Sequence, residues 1–164
     1  MEPDTDDAGA DPSAVVGKVV EWFASTPFEV LRENLLAATD FDSASGRMKE
    51  LGYEIPDLID PEVEIPPEGI AGLRDEAGFR GRDGWIRFWA AWFEPWEDYR
   101  WEPTNWEQVG DQVVIDSFNK ARGRESGAPV EWWNTQVWTV RQGRVTRLVG
   151  YETREEAMAT LVSE

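Results

Sequence analysis

Near Pro95 the hydrophobic pattern of this chain changes period. Upstream, Gly81-Arg82-Asp83-Gly84 leads into a segment in which Trp85, Phe88, Trp89, Trp92 and Trp96 fall at i, i+3, i+4, i+7 and i+11. That spacing draws a wide aromatic stripe on one helix, which Pro95 kinks or ends. Downstream, apolar and polar residues alternate in four runs, Tyr99–Val109, Gln112–Arg122, Val130–Val140 and Arg144–Tyr151. Turn signals separate them: Gly110-Asp111, the stretch from Gly123 to Pro129, and Gln142-Gly143. Strands joined by such short turns form an antiparallel meander. A stripe this apolar must be buried, and the sheet is the available partner. The order therefore predicts an α+β domain.

The remaining segments fit that plan. Val15, Val16, Val19, Val20 and Phe23 recur at helical spacing after Pro12-Ser13, with Trp22 beside them. A second helix is expected from Thr26-Pro27, with Thr26 as its cap, to about Ala38, and a short third from Ser43 to Leu51. The segment from Leu58 to Pro66 reads as a loop entering a short strand that Pro66 and Pro67 end. Thr153, with Glu156 three residues on, caps a last helix carrying Ala157, Met158 and Leu161. Residues 1–11 are acidic and small and lack aromatics, so a disordered tail is expected there, followed by one domain over 12–164. The N-terminus has neither the basic nor the apolar region of a signal peptide, and no apolar run reaches membrane length. The expected location is the cytoplasm, without membrane association.

Composition narrows the chemistry. With 33 acidic and 16 basic residues the formal charge is −17, which disfavours nucleic acid and anionic membranes as partners. The chain has no cysteine and no histidine, which removes disulfides, thiolate nucleophiles, histidine-based triads and Cys/His zinc sites. No metal and no cofactor is implied. Chemistry would fall to carboxylates, Tyr, Arg, Lys, Asn or Ser. Ten tryptophans in 164 residues are several times an average share. They describe either a rigid aromatic cavity or a core that uses Trp.

Five phrases, in order, resemble the SnoaL-like proteins of the nuclear transport factor two-like superfamily. They are Ile59-Asp60-Pro61-Glu62-Val63-Glu64, Gly81-Arg82-Asp83-Gly84-Trp85-Ile86, Gly110-Asp111-Gln112-Val113-Val114-Ile115, Gly123-Arg124-Glu125-Ser126-Gly127, and the run from Gln136 to Val145. The resemblance covers about residues 58–160, and the segment 26–55 is longer than in a typical member. It implies a cone-shaped, curved antiparallel sheet wrapped around the N-terminal helices and one long helix, the cystatin-like α+β barrel. It further implies a hydrophobic cavity between them and homodimers through the outer face of the sheet. It does not select a reaction. Where the steroid-isomerase branch carries a catalytic Asp, this chain has Ile65, and the histidines of the scytalone-dehydratase branch have no counterpart.

A ligand site follows as an expectation. Trp85, Phe88, Trp89 and Trp92 would wall the cavity, with Trp22 as a lid. On the third long strand Trp132, Asn134, Gln136 and Trp138 share one side, flat rings with amides between them. Asp116, a carboxylate in mid-strand among apolar neighbours, is the candidate general base; Glu131 is second, and Tyr151 is the best placed of the three tyrosines as a phenol donor. The logic is that of the carboxylates in ketosteroid isomerase. For each residue the plainer alternative stands: amides that satisfy buried backbone, and an Asp116 on the exposed or dimer face. Three functions remain open. The chain is a SnoaL-like protein that binds a small hydrophobic molecule in an aromatic cavity, with room for cofactor-independent isomerase, lyase or cyclase chemistry on a flat apolar carbonyl compound; or a non-catalytic ligand-binding or dimerisation module; or an accessory subunit contacting a partner through Trp101 and Trp106.

Overall fold

A computed structural model describes residues 11–67 and 78–162. The tail expected over residues 1–11 lies outside them except for Asp11, whose carboxylate caps the first helix by accepting from the Ala14 N–H at 3.3 Å. Among the described residues the chain forms helices α1 (Pro12–Ser25), α2 (Phe28–Ala37) and α3 (Phe41–Glu50), strands β1 (Ile59–Ile65) and β2 (Phe79–Arg80), and helix α4 (Gly81–Phe93). Four long strands follow, β3 (Trp96–Val109), β4 (Gln112–Gly123), β5 (Pro129–Arg141) and β6 (Arg144–Tyr151), and then helix α5 (Arg154–Val162).

One six-stranded sheet runs in the order β2-β1-β6-β5-β4-β3. The long strands form the expected antiparallel meander. The sheet as a whole is mixed rather than antiparallel, because β1 lies parallel to β6, with Ile59 opposite Val145. Register shifts interrupt β3 near Arg100 and Thr104, β5 near Val140, and β1 between Ile59 and Glu64. Such bulges bend strands, and here they let the sheet wrap around the helices.

Alternation assigns the two faces. Val113, Ile115, Ser117 and Asn119 of β4, with Asn134, Gln136 and Trp138 of β5, point inward toward α1–α4. Val114 and Val137 point outward and form a second small core with Ala157 of α5. The main core is aromatic on the α4 side: Trp85, Ile86, Phe88, Trp89, Trp92 and Phe93 are all buried. Residues 88, 89, 92 and 93 interlock through ring contacts of 5.0–6.1 Å.

Caps and ties hold the layers. Thr26 does not cap α2 as expected; its hydroxyl donates back to the Trp22 carbonyl at 2.7 Å and closes α1 instead. Trp22 is a strut, not a lid, because its indole N–H donates to the Tyr53 carbonyl at 2.9 Å. Asp40 and Ser43 form a reciprocal capping box on α3. Helix α4 stops at Phe93, so Trp96 leaves the aromatic stripe and opens β3, its ring 5.3 Å from that of Trp132. Thr153 accepts from the Glu156 N–H at 3.2 Å at the start of α5, as read from the sequence. No helix among the described residues is long and apolar enough to cross a membrane.

Candidate functional site

Where α1 ends, α2 begins and β3 runs along the sheet edge, the inner layer leaves a cavity of about 330 Å³, partly open to solvent. This lies at the lower end of the range for small-molecule sites. Phe23 and Thr26 bound it from the end of α1 and the turn after it, Phe28 and Leu31 from α2, and Trp89 and Phe93 from α4. Gln136 and Trp138 form part of its wall on β5, and Tyr99 and Trp101 on β3, whose exposed Arg100 and Glu102 flank it.

Each wall residue is placed by its own local rule. The 3.6-residue period puts Phe93 four places after Trp89 on one face of α4. The period of two puts Tyr99 and Trp101 together on the inner face of β3, where Trp101 sits opposite Asn119. Phe28 meets Phe93 edge to face at 5.4 Å, which seats α2 on α4.

Polar groups reach this region as a connected chain. The Trp92 indole N–H donates to the Tyr99 hydroxyl oxygen at 3.3 Å, and that hydroxyl donates to Asn119 Oδ1 at 2.5 Å. Asn119 Nδ2 donates to Asn134 Oδ1 at 3.2 Å, which also accepts from the Ser117 hydroxyl at 2.5 Å. Burial raises the Tyr99 pKa far above the ordinary phenol value, so the hydroxyl keeps its proton throughout the physiological range. Gln136 Oε1 accepts from the Trp138 indole N–H at 3.1 Å.

The expected site residues separate into three groups. Trp89, Gln136 and Trp138 line the cavity. Trp85, Phe88, Trp92, Trp132 and Asn134 stand behind it as core and network residues, and Trp22 ties α1 to the loop after α3. The proposed acid–base residues point elsewhere. Asp116 is on the outer face, opposite Thr135. Its carboxylate accepts from the Thr135 hydroxyl at 2.8 Å and pairs with Arg154 of α5 at 3.0 Å. Glu131 is exposed on the same outer face and lies 3.9 Å from Lys120. Tyr151 packs on the small outer core beneath α5. Asp116, Glu131 and Tyr151 therefore cannot act on a molecule in the cavity, because the sheet stands between. Among the described residues, no group of three or more Asp or Glu could hold a metal ion.

A sequence model of the SnoaL-like domain matches residues 53–148, more than half of the chain. A search of curated proteins finds no match. Solved structures share the fold at low identity. An NTF2-like protein of unknown function from Burkholderia pseudomallei is 17% identical with a TM-score of 0.52, over 77% of this chain and 95% of that one. A putative SnoaL-like polyketide cyclase from Jannaschia is 18% identical with a TM-score of 0.51, over 84% and 95%. A hypothetical protein with a ketosteroid isomerase-like fold from Catenulispora acidiphila, in complex with trimethylamine, is 14% identical with a TM-score of 0.50, over 76% and 83%.

Proposed function

Given that this chain belongs to the SnoaL-like domain family, with the NTF2-like fold, we propose that it binds a small, largely apolar molecule in the cavity between α1, α2, α4 and β3, without transforming it. One observation carries the second half of this reading. The carboxylate that acid–base chemistry would need, Asp116, is held by Thr135 and Arg154 on the far side of the sheet. Among the described residues, the buried groups around the cavity are rings, an amide, a hydroxyl and a phenol that keeps its proton. None of these accepts a proton at neutral pH, and Glu102, the one carboxylate among the described wall residues, is exposed and alternates with Trp101 toward the outer face, opposite Phe118. Rings on opposite walls suit a flat guest, since flat apolar surfaces stack on indole and phenyl faces with little loss of side-chain entropy.

A cyclase remains the rival reading, favoured by the fold shared with the Jannaschia protein. The two separate experimentally. Titration with 2-acetylnaphthalene, followed by indole fluorescence, should show saturable binding, and the ketone recovered by chromatography should be unchanged. Ala24→Phe, on the exposed last turn of α1 at the cavity wall, should abolish binding while the fold persists. Undiminished binding by this variant would place the site elsewhere, and a converted ketone would restore the enzyme reading.

We infer also that the outer sheet face joins two copies of the chain. Trp133, 58% exposed, packs against Phe118 at 5.0 Å there, with Lys120 and Glu131 beside them. A large exposed ring rimmed by charge is the composition of an interface centre.

A further inference from the structure

Gln136 is 3% exposed, and its side chain lies at the cavity wall between β5 and α4. An indole N–H can only donate a hydrogen bond. The Gln136 atom 3.1 Å from Trp138 Nε1 is therefore the amide oxygen, and the orientation of the amide is fixed. The opposite end of the amide, an N–H pair, has no hydrogen-bond partner among the described residues, and it is not one of the fully buried polar atoms. Two further wall residues carry unpartnered donors, though theirs are fully buried. The indole nitrogens of Trp89 and Trp101 are buried and unpartnered. Thr26 spends its proton on the Trp22 carbonyl, and Tyr99 spends its own on Asn119. The cavity wall thus carries an excess of N–H donors over acceptors to receive them. A guest that fills the cavity without an acceptor strips water from the Gln136 amide and leaves its donors unpaired, whereas a guest with an acceptor oxygen at that wall does not.

We propose that Gln136 is the specificity-determining residue of the cavity, an amide locked by Trp138 to present donors, so that the pocket selects a neutral guest with an acceptor oxygen over the same skeleton without one. This rests on the reading of the cavity as a binding site and adds what the site discriminates. Neutrality follows from the charges along the wall: the one cation among the described wall residues, Arg100, is exposed at the edge beside the exposed Glu102, so a carboxylate held at Gln136 would be unpaired. Selection by polarity is the stronger kind here. A donor that finds no acceptor penalises the wrong guest, whereas an extra methylene on an apolar guest changes little.

The test compares 9-fluorenone with fluorene, two flat molecules that differ at the carbonyl, by equilibrium dialysis against the full chain. Wild type should bind fluorenone roughly 3- to 10-fold more tightly, the worth of one neutral hydrogen bond. Gln136→Leu should bring fluorenone down to the level of fluorene and leave fluorene unchanged, which also shows that the variant pocket is intact. Should Gln136→Leu fail to fold, Gln136→Met keeps the length of the side chain without the amide donors, and it should lose the same preference. Equal binding of both probes by wild type overturns the inference and leaves the binding site standing. A preference that survives both substitutions assigns the discrimination to another group and overturns it too. Failure of both probes to bind overturns the binding reading itself.

Discussion

Replacing Tyr99 by Phe probes the polar chain behind the cavity. The substitution removes one oxygen and leaves the ring in place. It strands two groups at once: Asn119 Oδ1 loses the donor at 2.5 Å, and the Trp92 indole N–H loses its acceptor at 3.3 Å. Asn119 is fully buried, so water does not replace the lost partner. At about 1–3 kcal/mol for each stranded group, and allowing for partial relaxation, the loss should be about 2–4 kcal/mol. For a domain of this size that lowers Tm by roughly 5–15 °C. A second signature is specific to the phenol. Burial raises the Tyr99 pKa in the folded state above its unfolded value of 10.0. Above pH 10 the unfolded chain therefore releases a proton that the folded chain retains. This contribution to stability is complete below pH 10 and is lost as pH rises further. Wild type should weaken steeply in alkali, and Tyr99→Phe should show a shallower fall. Guanidinium melts by circular dichroism from pH 7 to 11 measure both effects, with Tyr151→Phe as the control, whose hydroxyl has no hydrogen-bond partner among the described residues. A loss below about 0.5 kcal/mol at pH 7, or parallel alkaline slopes, would refute the argument that this hydroxyl organises the inner face.

Asp116→Ala should cost about 1 kcal/mol by releasing Arg154 and α5, with 2-acetylnaphthalene affinity unchanged; lost affinity in dialysis would return Asp116 to the site. Phe88→Ala, at a position with no exposure, should cost about 3–5 kcal/mol in a denaturant melt, and a loss under 1 would mean that the aromatic core is loose. Gly78→Ala should destabilise by about 1–3 kcal/mol, because φ is +72° and a Cβ would lie 2.9 Å from the Ile65 carbonyl oxygen. Trp133→Glu should convert a dimer to a monomer in light scattering, and an unchanged mass would remove the outer face as the interface.

The fold was legible because its signals are periodic. The switch of period near Pro95 marks the border of α4 and β3 to within a few residues, and alternation on β5 correctly groups Trp132, Asn134, Gln136 and Trp138 on the inner face. Alternation could not say which side of β4 faces in. Val113 and Ile115 belong to the main core, but Val114 on the other side is equally buried under α5, so both faces look apolar. The pairing of Asp116 with Thr135 settles the matter, and that register passes through a turn of several residues whose geometry the sequence does not fix. Once Thr135 is outward, so is Asp116. The parallel partner of β1 was hidden for a related reason, since it lies more than 80 residues further along the chain. Among the wall residues, Phe93 at four places from Trp89 and the alternating Tyr99 and Trp101 carried a readable signal. Phe28 did not, because its role comes from how α2 crosses α4.

The parallel seam between β1 and β6 bears on how the chain reaches this structure. The meander from β3 to β6 can zip up through neighbouring hairpins, each closed by a short connection. Strand β1 can pair only once β6, the last strand among the described residues, is made, and it then closes a loop of about 86 residues from Ile59 to Val145, over half of the chain. Substitutions at Val63 should accordingly accelerate unfolding while barely slowing folding, and amides in β1 should exchange earlier than those in β4 and β5.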